Sequence, residues 1–298
     1  MKKPGRIVAL VLSLGAGTAQ TSPHDFKIYQ LGNPNVGGAN YNPSADANFR
    51  AFAKELGAAL TSVNLMPPST LGHDGFAVNA ELSILNLQTD RFAFPTEGSF
   101  SGPLLIPSLH VRKGLPFSFE VGARTGWITN SNLAVATVEL KWAINEGSTY
   151  YPDIGLRGHF TRLFNGRDFD LFTTGVDLGV GRRFAIAGMI TLTPYLGWNL
   201  VWVGATSKLV DFDPGRSYAD SVSSPTAQLQ DTGVFQEVRA TANSHNRFYL
   251  GFRFASGVFQ LGGEISYSVL GGIPDAGTGA NKSLPPVLAI NSTIGLGF

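Results

Sequence analysis

Five histidines, His24, His73, His110, His159 and His245, are the side chains best suited to proton transfer near neutral pH. At strand spacing His159 can approach Asp177, and His110 can approach Ser108 or Glu120. A His beside an acid or a hydroxyl is the minimum for hydrolysis, because the acid orients the ring and the ring activates the nucleophile. No motif ties either His to a nucleophile, so no catalytic residue is assigned, and histidines satisfied in a polar interior are the expectation. The chain contains no Cys, which removes disulfides and thiolate metal sites. No carboxylate spacing matches a calcium loop. Neither a metal nor a cofactor is expected.

The larger chemical resource is a set of charges at alternate positions. Five acids, Glu81, Glu120, Glu139, Asp177 and Glu264, and five bases, Arg112, Arg124, Lys141, Arg157 and Arg253, fall opposite apolar residues along the chain. His159, Tyr195 and Tyr249 share that polar face. Equal numbers of the two signs predict mutual pairing in a narrow interior, where an unpartnered charge is costly. They argue against a pore selective for one sign of ion. The net charge over 298 residues is +1, with no Lys/Arg cluster, so nucleic acid is not an expected partner.

The elements that must position these groups are strands. Charged residues make up only 14% of the chain and glycines number 36. After the amino-terminal region no apolar run reaches the ~18 residues of a membrane helix. Period-2 alternation predicts ten strands, about Phe76 to Leu87, Leu104 to Lys113, Phe117 to Ile128, Leu133 to Ile144, Ile154 to Leu163, Phe172 to Arg182, Ile190 to Val203, Arg247 to Ala255, Val258 to Leu270 and Leu288 to Phe298. Pro107 makes the second the weakest, since it lacks a ladder donor. The long connections, 88–103, 204–246 and 271–286, all fall at one end, as a membrane barrel requires. Trp127, Trp142, Trp198, Trp202, Phe248 and Tyr267 fall on the apolar face. The predicted fold is all-β: a transmembrane antiparallel up-and-down barrel of about ten strands over 75–298, with an amino-terminal helical extension. Eight or twelve strands are the alternatives, since a hairpin around Val234 to Ala242 would add two.

The termini supply the compartment. The last residues place Leu288, Ile290, Ile294, Leu296 and Phe298 on one face. This ending, with Ile294, Leu296 and Phe298 at its core, resembles the carboxy-terminal assembly signal of Gram-negative outer-membrane proteins. The resemblance implies the barrel-assembly machinery and outer-membrane lipid as partners. Lys2, Lys3 and Arg6, an apolar stretch from Ile7 to Leu14, and small residues to Ala19 have the layout of a cleaved signal peptide over 1–19. Residues 20–74 form a periplasmic or plug-like extension with one amphipathic helix, carrying Phe49, Phe52, Leu56 and Leu60 on its apolar side. That helix must pack on the periplasmic mouth, in the lumen as a plug, or on the membrane surface. Covering the mouth is the plainest of the three. The string Asn40, Tyr41, Asn42, Pro43 resembles the amino-terminal hatch of long-chain fatty-acid transporters of the FadL type, although that family has more strands and a longer chain.

The expectation is thus an outer-membrane barrel of a Gram-negative bacterium acting as a narrow or plugged channel for small solutes, with the solute unidentified. A structural or surface-interaction barrel working through the 204–246 loop is the alternative. An outer-membrane hydrolase is third.

Overall fold

Alternating apolar and polar residues cannot satisfy both of their faces unless a sheet separates two environments, and here the sheet closes on itself to do so. The computed structural model describes residues 22, 24–36, 40–41, 43–87, 95–96, 102–186, 189–212, 229–230, 234–274 and 281–298. The expected signal peptide lies outside these residues, as does Asn42 of the hatch-like string; Asn40–Tyr41 pairs with Asn35–Val36.

Ten strands form the wall: β1 (Phe76–Asn86), β2 (Leu104–Leu115), β3 (Phe119–Trp127), β4 (Ala134–Asn145), β5 (Asp153–Phe164), β6 (Phe169–Gly181), β7 (Ile190–Ser207), β8 (Ser244–Ser256), β9 (Phe259–Val269) and β10 (Val287–Gly297). Each is antiparallel to the next, and β10 pairs back onto β1, with Leu296 opposite Val78. The seam ends on a reciprocal pair of hydrogen bonds between Phe76 and Phe298, at 2.9 and 2.7 Å. A short strand, Phe184–Ile186, folds against the start of β7. Leu104 to Leu115 forms a full strand despite Pro107, because the ladder from β2 to β3 ends at Ser108 opposite Gly126. Around Val234 to Ala242 no hairpin joins the wall: Ala240–Ala242 is a single 3-10 turn, and Val238 makes only a bridge to Ala205.

The two faces differ sharply. Val138, Leu196, Leu250, Ile265 and Ile290 are 53–62% exposed on the outside, while their chain neighbours Glu139, Tyr195, Tyr249, Glu264 and Asn291 are buried inside. This inversion of the usual burial rule is stable only where the surroundings are apolar. Short turns close one end, such as Pro116 to Ser118 and Gly257 to Val258, and the long connections gather at the other. Following paired residues round the wall from Phe76 through Lys113, Val121, Leu140, Gly158, Val176, Leu200 and Asn246 to Val269 climbs from the short-turn end to the long-loop end. A stagger of that kind tilts strands by about 40°.

Ile290 lies near the middle of the outer face, so Ile290→Arg is expected to destabilise the barrel in lipid by about 2–4 kcal/mol. Urea titration in phosphatidylcholine vesicles, with Ile290→Leu as the control, measures the difference.

Candidate functional site: the filled lumen

A chain segment runs through the barrel from one end to the other. The helix α1 (Pro43–Leu60) lies in the long-loop half of the lumen, and residues 61–71 continue as irregular backbone toward the short-turn end. Every residue from 51 to 69 is buried. A helix buried on all sides is surrounded by wall, not laid across a mouth. Of the three placements open to the sequence, the structure takes the lumen.

The helix fits because both sides yield space. Ala45, Ala51, Ala53, Gly57, Ala58 and Ala59 keep it slender, and a Cβ on Gly57 would lie 2.5 Å from Val203 Cγ1 on β7. Its larger side chains, Phe49, Phe52, Leu56 and Leu60, meet an apolar sleeve. The inward positions near the long-loop end are Leu85, Leu104, Ile106, Val135, Leu163, Leu171, Val203 and Val287. There the alternation breaks down, with apolar residues pointing both ways. Phe52 packs edge-on against Phe26 and Phe169, both at 5.3 Å between ring centroids, and Phe49 stacks on Phe235 at 4.9 Å.

Below the sleeve the inner wall turns ionic. Arg124 Nε donates to Glu81 at 2.6 Å; His110 bridges Glu81 and Glu139 at 2.9 and 2.8 Å; Arg157 links Glu139 at 2.8 Å to Asp177 at 2.7 Å. These groups come from β1 to β6, and the stagger brings them to one height as a belt. A second layer nearer the short turns joins Glu120 to Arg112 at 3.1 Å and Lys141 at 2.9 Å. The expected pairing of acids with bases is present, with two differences. His110 meets Glu81 and Glu139, not Ser108 or Glu120, because Glu120 lies lower and is taken by Arg112 and Lys141. Arg253 has no ion pair among the described residues, and its Nε has no partner.

The belt also grips the plug. The carbonyls just past the end of α1 would be left without partners in a dry interior. Arg124 and Arg157 donate to Val63 O at 2.8 and 3.0 Å, Arg157 also to Ser62 O at 3.3 Å, and Arg247 to Thr61 O at 3.1 Å and to Ser62 O. Arg124 further reaches the Ser62 hydroxyl. Three guanidiniums thus face the negative end of the helix dipole. On the opposite wall Glu264 accepts from Leu65 N at 2.9 Å and from Tyr195 Oη at 3.2 Å, while Asn64 donates to Tyr249 Oη at 3.2 Å. Lys141 caps Ser69 O at 3.0 Å, Glu120 accepts from Leu71 N at 2.9 Å, and Glu146 from Thr70 N at 2.7 Å. Arg247, at the very start of a predicted strand, and Ser62, Asn64 and Glu146, outside the predicted strands, carry no sequence signal of this role.

At the long-loop end the chain before α1 is moored to the rim. His24 N donates to Asn130 O at 3.0 Å, Lys27 N to Pro95 O at 2.6 Å, and Phe26 bridges Thr96. Asp25 accepts from Ser131 Oγ and Asn132 N, both at 2.8 Å. Burial alone would raise the Asp25 pKa, but the backbone N–H groups of Asn132 and Ser22 and the side chains of Ser131 and Asn132 outweigh it and hold the carboxyl below its ordinary value. His159 Nε2 lies 3.8 Å from Asp177 Oδ2, but Arg157 takes that carboxylate, and Asn199 Nδ2 meets the imidazole at 3.1 Å. His73, in a turn before β1, is far along the chain from both.

A closed ten-stranded antiparallel wall, apolar outside, with long connections at one end, defines the class: a transmembrane β-barrel, here with its lumen occupied by its own amino-terminal segment. No protein-family model matches the sequence, and no curated protein is detectably similar. Among solved structures the chain is similar to Neisserial surface protein A, at 13% identity over 75% of this chain and 94% of that one, TM-score 0.27. It is also similar to Ail, the attachment invasion locus protein of Yersinia pestis, at 12% identity over 76% and 99%, TM-score 0.28. A third is the transport unit of the autotransporter AIDA-I from Escherichia coli, at 9% identity over 86% and 99%, TM-score 0.33. At these values no function transfers from them, and the lumen speaks for itself.

Arg157→Met would leave Glu139, Asp177 and two plug carbonyls short of their donor, at an expected cost of about 3–5 kcal/mol. Arg162→Met on the outer face should change stability by less than ~0.5 kcal/mol, and denaturant unfolding in detergent followed by tryptophan fluorescence compares the two. The Asp25 mooring, whose folded pKa is depressed, is present above the unfolded pKa and lost as pH falls through the folded value. Protection of the Ser22 and Asn132 amides, taken relative to the intrinsic exchange rate at each pH, should therefore fall on acidification below about pH 4, the ordinary Asp value, and less so in Asp25→Asn.

Proposed function

We propose that the protein is an outer-membrane barrel forming a narrow channel for small solutes, held closed by residues 43–71. One observation carries this reading. The part of the plug beyond α1 is held by hydrogen bonds from wall side chains, which water can replace one at a time as the segment moves, whereas the apolar contacts around α1 offer no such exchange. The short-turn end, with Phe298, faces the periplasm in this reading, and the long connections face outward. The amino terminus of the exported chain then emerges at the outer surface beside Asn130 and Asn132.

That last point supports a second reading, a surface-interaction barrel. Residues 24–27 meet the connection 129–132 at the long-loop end, and Gln236 donates its backbone N–H to Asp46 of α1 at 2.7 Å. Most of the 204–246 loop on which this alternative rests in sequence falls among residues that are not described. We propose no hydrolytic role for His159 and Asp177, since Arg157 takes the carboxylate at 2.7 Å and the imidazole stands 3.8 Å from it.

The absence of cysteine allows a direct test. A Cβ on Gly57 would lie 3.2 Å from Val203 Cβ, close to the ~3.8 Å spacing of a disulfide. In proteoliposome swelling Gly57→Cys/Val203→Cys is expected to show wild-type entry of small solutes when reduced and none when oxidised. Absence of both solute entry and conductance in wild type and in both redox states would defeat the channel reading in favour of the surface barrel. A peptide tag placed ahead of residue 22 should be labelled by antibody on intact cells; labelling only after permeabilisation would reverse the orientation.

A further inference from the structure

The wall is not equally satisfied all the way round. On β1 to β4 the buried charged atoms are paired, with Arg112 Nε the exception, whereas on β5 to β8 buried polar atoms lack partners among the described residues. The upper group comprises His159 Nδ1, Thr173 Oγ1, Asp177 Oδ1, Asn199 Oδ1, both ring nitrogens of His245, and Arg247 Nε. All six side chains are at most 4% exposed and face the lumen beside α1 and residues 61–64. Register brings them together: Asn199 lies opposite both Asp177 and Arg247, and Gly175 lies opposite both His159 and Val201. The absence of a side chain at Gly175 lets His159 and Asn199 approach over it, since a Cβ there would come within 2.5 Å of His159 Nε2 and 2.8 Å of Asn199 Oδ1. A lower group, Thr193 Oγ1, Arg253 Nε and Gln260 Oε1, is likewise unpartnered on β7, β8 and β9 near the short turns.

Between the groups stand Tyr195 and Tyr249, their ring centroids 6.3 Å apart. Each ring lies over a glycine of the neighbouring strand: a Cβ on Gly251 would come within 2.5 Å of Tyr195 Cζ, and one on Gly197 would collide with the Tyr249 ring. The rings are therefore drawn against the wall, and their hydroxyls reach Glu264 and Asn64.

Buried polar atoms without a protein partner call for water or a ligand, and a cluster of them offers a water the two to four contacts it needs. We propose that the plug and the wall of β6 to β8 enclose a hydrated lane that, once the plug shifts, passes small uncharged hydroxylated solutes and excludes cations. The proposal rests on the channel reading and names its solute class. A solute with several hydroxyl groups replaces the waters on Thr173, Asn199, His245, Thr193 and Gln260 one for one. A cation gains no such replacement, because the acids of the belt are already committed to its bases, and it must shed its hydration beside Arg253, which carries no ion pair among the described residues. The tyrosine pair sets the narrowest point between the two wet groups.

Glycerol is the probe, with swelling of proteoliposomes followed by light scattering and potassium conductance recorded in planar bilayers. Wild type is expected to admit glycerol with little potassium current. Thr173→Val removes one hydroxyl at nearly constant volume, and Thr173→Val/Asn199→Leu dries the upper group. Each lost solute hydrogen bond, worth about 1 kcal/mol, should slow glycerol entry about fivefold, while the urea midpoint of Thr173→Val stays at the wild-type value. Glycerol entry unchanged in both variants overturns the lane. Potassium current without glycerol entry in wild type overturns the lane and leaves the channel standing, whereas neither glycerol nor potassium in wild type overturns the channel reading itself.

Discussion

Everything in the lumen depends on the end of one helix. α1 stops at Leu60 inside a wall that excludes bulk solvent, and the carbonyls of Thr61, Ser62 and Val63 need donors there. Arg124, Arg157 and Arg247 supply them from three different strands, and each arginine must then be balanced. Glu81, Glu139 and Asp177 balance two of them directly, and His110 joins the first pair to the second. The belt is therefore a consequence of burying a helix terminus, and the acids and bases of the wall serve the plug as much as one another.

The two halves of the lumen use different physics for this reason. The outer half holds α1 by apolar contact, which is non-directional and asks only for volume, so small residues on the helix and branched aliphatics on the wall suffice. The short-turn half holds an irregular segment that is neither helix nor strand, so its N–H and C=O groups draw on partners from the wall. Charged side chains are long enough to reach inward and strong enough to offset the loss of water. The side of the lumen where this satisfaction is incomplete, β5 to β8, is where solvent has a reason to enter.

Much of the wall was legible residue by residue. The outward faces named from period 2, such as Phe248, Leu250, Phe252 and Phe254 on β8, are outward in the structure, because alternation is a local consequence of strand geometry. The even strand number followed from turns and loop lengths. Less legible was the sleeve: Leu85, Leu104, Val135 and Leu163 carry no sequence mark of an inward role, yet they are the surface against which the helix packs. A run of apolar residues on both faces of a strand has one meaning beside lipid alone and another when a helix sits inside. The partners of His110 were misread for a related cause. Sequence proximity favoured Ser108 and Glu120, whereas the stagger of the strands places Glu81 and Glu139 at its height.

The sequence by itself determined that the chain alternates, closes with an even number of strands, and carries a balanced set of inward charges, because these depend on residue type and on neighbours one or two positions away. Only the tertiary structure decided where residues 43–71 lie and what the charges hold. That choice is made by the width of the closed barrel, the stagger that aligns arginines from distant strands, and the need of a buried helix end for donors, none of which is a property of any stretch of sequence taken alone.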